Sequence, residues 1–240
     1  MVPYKERDIY YTDDGRLMDG QFAIMMDWEK PIMEFQARQI CRNGGDILNV
    51  GFGMGFFDDE VQRHQITSHH IIEIHPKVQS EMIKRGWDKK ENVTLHFGDW
   101  RDIMKTLPKF DGVYIDTWDE QIHDFIRYSP NFLKKGGLLS YFNNPKDDFD
   151  KDGISDYVLD LMNGNFDVYF MAFEKKPEPK PTKYEYVFED EDCISIWKYN
   201  TKITTNGPVE VEYKYKRGYV HPGSKKKTLG DLAKEGRKKR

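Results

Sequence analysis

The run Ile47-Leu48-Asn49-Val50-Gly51-Phe52-Gly53-Met54-Gly55 constrains this chain more than any other stretch. An apolar strand segment leads straight into glycines spaced G-x-G-x-G, and a helical pattern from Asp58 to Arg63 follows. Glycine lets the backbone turn tightly and approach a ligand closely, because a Cβ would obstruct both. A strand, glycine turn and helix in that order form the first unit of an open α/β sheet that binds ligands beyond its strand ends. The dinucleotide fingerprint would want glycine where Phe56 stands, which weighs against an NAD site.

The same alternation runs from about Gly45 to Asn200 and predicts a mainly parallel sheet. His70–Ile74, Val93–Phe97 and Gly112–Ile115 read as the next strands, with helices over Lys77–Gly86, after Pro76, and Arg101–Leu107. Gly136-Gly137 is expected to turn the chain into a fifth strand, Leu138–Phe142. Ile154–Met162 has helical spacing, and Phe166–Phe173 and Cys193–Tyr199 read as final strands. Between them the prolines of Lys175–Pro181 imply an extended connection. The expected organisation is a lid segment over 1–44, one α/β domain over 45–200, and a hairpin at Asn206-Gly207 with a basic tail over 201–240.

Charge is uneven along the chain. Residues 213–240 carry 11 Lys/Arg against 2 Asp/Glu, net +9, leaving −13 on residues 1–212. An acidic body suits a cationic acceptor, and the tail suits an anionic partner. A charged, tyrosine-rich start and the absence of a long apolar run predict a protein that is neither secreted nor membrane-bound. Cys41 and Cys193 stand alone, which fits a reducing, cytoplasmic compartment.

Further strand ends supply chemistry. Glu73 closes the second strand, where a carboxylate can accept hydrogen bonds from both ribose hydroxyls of a nucleoside, with Ile74 and His75 beside it. Asp99 follows the third strand and can bond an exocyclic amine or cap the next helix, and Trp100 can pack on a purine face. Asp116 and Thr117 follow the fourth, and upstream Met25-Met26-Asp27-Trp28-Glu29-Lys30-Pro31-Ile32-Met33 mixes acids with large apolar residues. Glu29 and Asp116 together could grip a planar guanidinium fork, hold its charge away from the attacking nitrogen and receive a proton. His69, His70, Glu73 and His75 mimic a metal cluster, but strand alternation sends His70 to the opposite face and the spacing fits no common zinc pattern, so no metal is expected.

These segments, in order, resemble the guanidino N-methyltransferases, both the guanidinoacetate type and, more closely, the type that modifies the internal nitrogen of arginine in a ribosomal protein. The resemblance spans about Asp14 to Asn144. It implies a Rossmann-like class I methyltransferase fold, seven strands with the last antiparallel, and S-adenosyl-L-methionine as methyl donor. It implies cofactor contacts at Met25, Met33, Phe52, Gly53, Met54, Glu73, Asp99 and Trp100, with Gly51, Gly55, Ile74 and His75 in the same motifs. It implies acceptor contacts at Glu29 and Asp116, joined by Thr117, Asn143 and Asn144. The expected acceptor is arginine in a protein or peptide, or a small guanidino compound. Two other readings stay open: aminopropyl transfer on a similar sheet, and a non-catalytic nucleoside- or nucleic-acid-binding module that uses the tail.

Overall fold

The computed structural model describes residues 3–20, 22–117, 125 and 128–142, and the backbone of strands at 149–150, 153–154, 166–173 and 192–199. Three short strands come first, β1 (Ile9–Thr12), β2 (Arg16–Asp19) and β3 (Phe22–Met26), paired antiparallel in that order. The N-terminal segment expected as a lid is therefore a small sheet of its own. Its first turn closes at Gly15 with φ +82, where the Thr12 hydroxyl also accepts the Arg16 amide. Helix α1 (Lys30–Ile40) follows, with Pro31 in its first turn. It buries Ile32, Met33, Gln36, Ala37 and Ile40, a stripe at helical spacing that packs towards the main sheet.

The main sheet then builds outward from its centre. Strand β4 (Asp46–Val50) is followed by α2 (Phe56–Val61), β5 (Ser68–Glu73), α3 (Pro76–Lys84), β6 (Val93–Phe97), α4 (Trp100–Ile103), β7 (Phe110–Ile115) and β8 (Leu133–Tyr141). Strands β6, β5, β4, β7 and β8 lie side by side and parallel. A separate two-stranded pair, β9 (Phe149–Asp150) and β10 (Gly153–Ile154), precedes β11 (Phe166–Phe173) and β12 (Asp192–Tyr199). Strand β12 runs antiparallel to β8, and β11 pairs with β12 at the edge. The sheet thus has seven strands, and the last in the chain is antiparallel, as the resemblance implies.

Three expectations need correcting. Gly136 and Gly137 do not turn the chain into β8 but lie inside it. The register jumps from Phe110↔Leu133 to Gly112↔Leu138, so β8 carries a bulge there. Gly136 has φ +80, and a Cβ on Gly137 would press on the Lys134 carbonyl at 2.9 Å, which is why glycines mark this point. The helix expected over Arg101–Leu107 is one α turn ending at Ile103, then a 3-10 turn over Met104–Thr106. Ile154 stands in β10; the rest of the helical stretch to Met162, the Asn206-Gly207 hairpin and the basic tail lie outside the described residues. Among the described residues no helix is long and apolar enough to cross a membrane.

Candidate active site

The chain builds β4, β5 and β6 to one side of the sheet and then returns to place β7 on the other side of β4. Between β4 and β7 the order reverses, and a crevice opens beyond the carboxyl ends of the strands. Gly51 sits at this point with φ +92; its N–H donates to the Ile72 carbonyl at 2.9 Å, and Asp116 N–H donates to Val50 at 2.9 Å. A Cβ on Gly51 would run into the Asp116 carbonyl oxygen, so glycine is required for the two strand ends to meet. Asn49 holds the turn from behind. Its Nδ2 donates to the Gly51 carbonyl at 3.0 Å and to both oxygens of buried Asp58, at 2.9 and 2.8 Å.

The crevice is a cavity of about 420 Å³, within the roughly 300–1,000 Å³ common for small-molecule sites. Its wall includes Gly51, Gly53, Glu73, Ile74, Asp99, Trp100, Asp116 and Thr117. Glu73 is buried, and each carboxylate oxygen accepts one backbone N–H: Phe52 at 2.9 Å and His75 at 2.7 Å. Burial pushes its pKa up while these donors pull it down. Asp99 lines the cavity and also takes the capping role, accepting the Arg101 N–H at 2.8 Å at the start of α4. The Trp100 ring is fixed edge-on by Phe125 at 4.9 Å.

The N-terminal segment, expected as a lid, lines the cavity at Pro3, Tyr4, Lys5, Ile24 and Met25, of which sequence reasoning singled out only Met25. Tyr4 lines the cavity and packs on His75 at 5.0 Å, and the Tyr11 hydroxyl donates to the Gly53 carbonyl at 3.0 Å. Burial first, then the negative charge of Glu73, drives both phenols upward in pKa. The Met25 sulfur accepts the Met54 N–H at 3.2 Å, pinning the sheet to the glycine turn. Only the run of tyrosines signalled this in the sequence.

Of the two expected acceptor contacts, Asp116 lines the cavity and Glu29 does not. Glu29 is 5% exposed, at the junction of a 3-10 turn and α1, and its Oε1 accepts the Met26 N–H at 2.8 Å. Its pKa is driven well above the ordinary carboxylate range by burial and then by the negative charge of Asp116. Burial alone pushes Asp116 up to about 7. Both acids are raised by desolvation, one of them further by the other, an environment that a neighbouring positive charge would relieve. Beside them the Thr117 hydroxyl is buried with no partner among the described residues.

Other predicted contacts lie back from the cavity. Met33 is buried in the core, Phe52 packs edge-on against Trp87 at 5.3 Å, and Met54 gives its carbonyl to Arg85. Gly55 begins α2 at φ +79, with the Phe52 ring where a Cβ would point. His75 caps α3 by accepting the Lys77 N–H at 3.1 Å, and its Nε2 meets the Arg7 carbonyl at 3.0 Å. His69 Nε2 lies 3.0 Å from Asp58 Oδ1, and His70 Nδ1 lies 3.0 Å from His96 Nε2, so the histidines go to separate partners. Asn143 and Asn144 lie outside the described residues.

The family model for guanidinoacetate N-methyltransferase matches residues 5–162. The chain is 36% identical over 177 residues to protein arginine N-methyltransferase 2 of Aspergillus oryzae, covering 69% of this chain and 43% of that protein. It is 34% identical over 154 residues to protein arginine N-methyltransferase 2 of Saccharomyces cerevisiae, covering 58% and 37%. The chain thus spans less than half the length of these curated relatives. Among solved structures, TYW2 of M. jannaschii in complex with AdoMet aligns with a TM-score of 0.50 at 16% identity, over 83% of this chain and 88% of that one. Precorrin 8w decarboxylase of Methanobacterium thermoautotrophicum aligns at 0.50 and 17%, over 69% and 88%. At such identities the likeness concerns the Rossmann-like fold alone.

Proposed function

The chain belongs to the guanidinoacetate N-methyltransferase family, and from that premise we propose that it transfers a methyl group from S-adenosylmethionine to a guanidino nitrogen. The observation that supports this reading is the pair of acids at this end of the site: Asp116 lines the nucleoside-sized cavity, and its charge acts on buried Glu29. The names of the relatives favour an arginine side chain as acceptor, with a small guanidino compound as the other substrate of the same chemistry.

The residues fit the donor. Glu73 would take the two ribose hydroxyls, Asp99 the exocyclic amine, and Trp100 the adenine face, with Met25 and the glycine turn enclosing the remainder. When bound, S-adenosylmethionine supplies an electrophilic methyl on a positively charged sulfur. The chain's task is to orient the nitrogen and take its proton. A guanidinium is delocalised and keeps its proton in water. Two carboxylates along its planar fork would fix the approach angle and draw positive charge to the far nitrogens, leaving a lone pair on the near one. As the N–C bond forms and the S–C bond breaks, that nitrogen sheds a proton. Asp116, near 7, is matched to receive it at neutral pH.

The test supplies methyl-labelled donor with arginine peptides, guanidinoacetate and matched lysine compounds, and maps the label by fragmentation. Label on a guanidino nitrogen is the expected result. Label confined to lysine amines, oxygen or carbon would remove the acceptor assignment and leave the fold untouched.

A further inference from the structure

A second polar group lies behind the two acids, on the core side. Gln36 is fully buried in α1, on a face otherwise made of Ile32, Met33, Ala37 and Ile40. An amide there is unfavourable by a few kcal/mol unless its hydrogen bonds are made, and all its groups are engaged. Nε2 donates to the Tyr141 carbonyl at 2.8 Å and to Ser140 Oγ at 3.1 Å, and Oε1 accepts the Tyr114 hydroxyl at 3.2 Å. The Tyr141 carbonyl can only accept, which fixes the amide's orientation. One side chain thus joins three elements: the helix that begins at Glu29, the strand that ends before Asp116, and the end of β8. The ends of β7 and β8 are also tied directly, Phe142 N–H to the Ile115 carbonyl at 3.2 Å.

We propose that Gln36 is a positioning residue for the acceptor site, fixing the helix that follows Glu29 against the strand that precedes Asp116 and keeping the Tyr114 hydroxyl bonded to its own side-chain amide. The proposal rests on the guanidino reading above. An apolar side chain would fill the same space, but it would deprive the Tyr114 hydroxyl and the Tyr141 carbonyl of this partner and remove the directional bonds that set α1 against β7 and β8. The Tyr114 ring is held flat against Phe57 at 4.1 Å, so its hydroxyl has little freedom beyond rotation. The charges of Asp116 on its own strand, Glu29 before α1 and Asp58 on α2 act on the Tyr114 hydroxyl, and that of Asp116 acts on Tyr4 as well. Without Gln36 the hydroxyl would donate to the site acids and hold them in the charged form at lower pH.

Gln36→Met, equal in length and helix-compatible, tests this alongside S-adenosylhomocysteine binding, acceptor kinetics and pH profiles. The expected result is a rise of at least tenfold in acceptor KM, product affinity within about twofold of the parent, and an acid limb of kcat/KM moved to lower pH. Adding Tyr114→Phe should return the limb and leave the KM defect. Should Gln36→Met not fold, Tyr114→Phe replaces it: it removes only the tie from α1 to β7, so acceptor KM should rise with product affinity retained. A lowered melting temperature with unchanged KM and limb would overturn the proposal. A parent protein that turns over and binds no guanidino compound would overturn the functional reading, and this one with it.

Discussion

At the scale of single residues, Asp116 sets two opposed expectations. Its pKa is about 7 folded against an ordinary 3.8, so between those values the folded protein binds more protons than the unfolded chain. Stability from this group is greatest below pH 4, falls as pH rises, and is fully lost above 7. Asp116→Asn should therefore raise stability at pH 8 by about 1–2 kcal/mol, allowing for partial solvent contact, with the gain vanishing towards pH 4. Chemical denaturation at both pH values measures it. The same variant should lose roughly a hundredfold or more in kcat/KM, and in the parent kcat/KM should climb through an acid limb near 7. Glu73→Ala is a separate expectation at the nucleoside end: loss of two charge-assisted hydrogen bonds should weaken S-adenosylhomocysteine by tenfold or more in calorimetry. Unchanged affinity would place the ribose elsewhere.

Among the elements, the turn after β4 is the one whose backbone leaves least room. Gly51 and Gly53 look equivalent in the sequence, yet their surroundings differ. A Cβ on Gly51 meets the Asp116 carbonyl, which is backbone, whereas one on Gly53 meets the flexible Met25 side chain, whose sulfur is 2.9 Å away. Both positions have positive φ, a strain of about 1–2 kcal/mol for alanine. Gly51→Ala should add separation of the β4 and β7 ends to that strain and remove cofactor and acceptor binding together. Gly53→Ala should keep measurable turnover with weakened cofactor affinity. Equal losses in the two variants, by melting temperature and calorimetry, would contradict this account of the turn.

For the molecule as a whole, charge separates the two ends of the chain. We propose that the tail serves an anionic partner rather than the chemistry, because its net +9 faces a body of −13 whose site acids want a cation. Truncation after Val220 should leave turnover on a small guanidino acceptor nearly intact. Salt-sensitive binding to an anionic polymer should weaken in parallel, with a shallower dependence on ionic strength. Loss of small-acceptor turnover in a folded truncated protein would bring the tail into the site.

The sequence by itself determined the sheet and the strand ends. Period-two apolar runs, glycine spacing and acids just past strands are local signals, so β4 to β7 and the positions of Gly51, Glu73, Asp99 and Asp116 were legible before any coordinates. Seven strands with the last antiparallel were implied by the resemblance. What only the tertiary structure decided depends on groups far apart in the chain. The N-terminal sheet folds over the cavity because Tyr11 meets Gly53 and Met25 meets Met54, contacts with no periodicity to announce them. The glycines of β8 make a bulge rather than a turn because Phe110 and Gly112 fix the register on both sides. Gln36 reads as a polar interruption of a helix stripe until β7 and β8 bring it Tyr114, Ser140 and Tyr141. Glu29 feels the charge of Asp116 only once the chain is packed, since desolvation and like-charge proximity are properties of the packed molecule and not of any stretch of sequence.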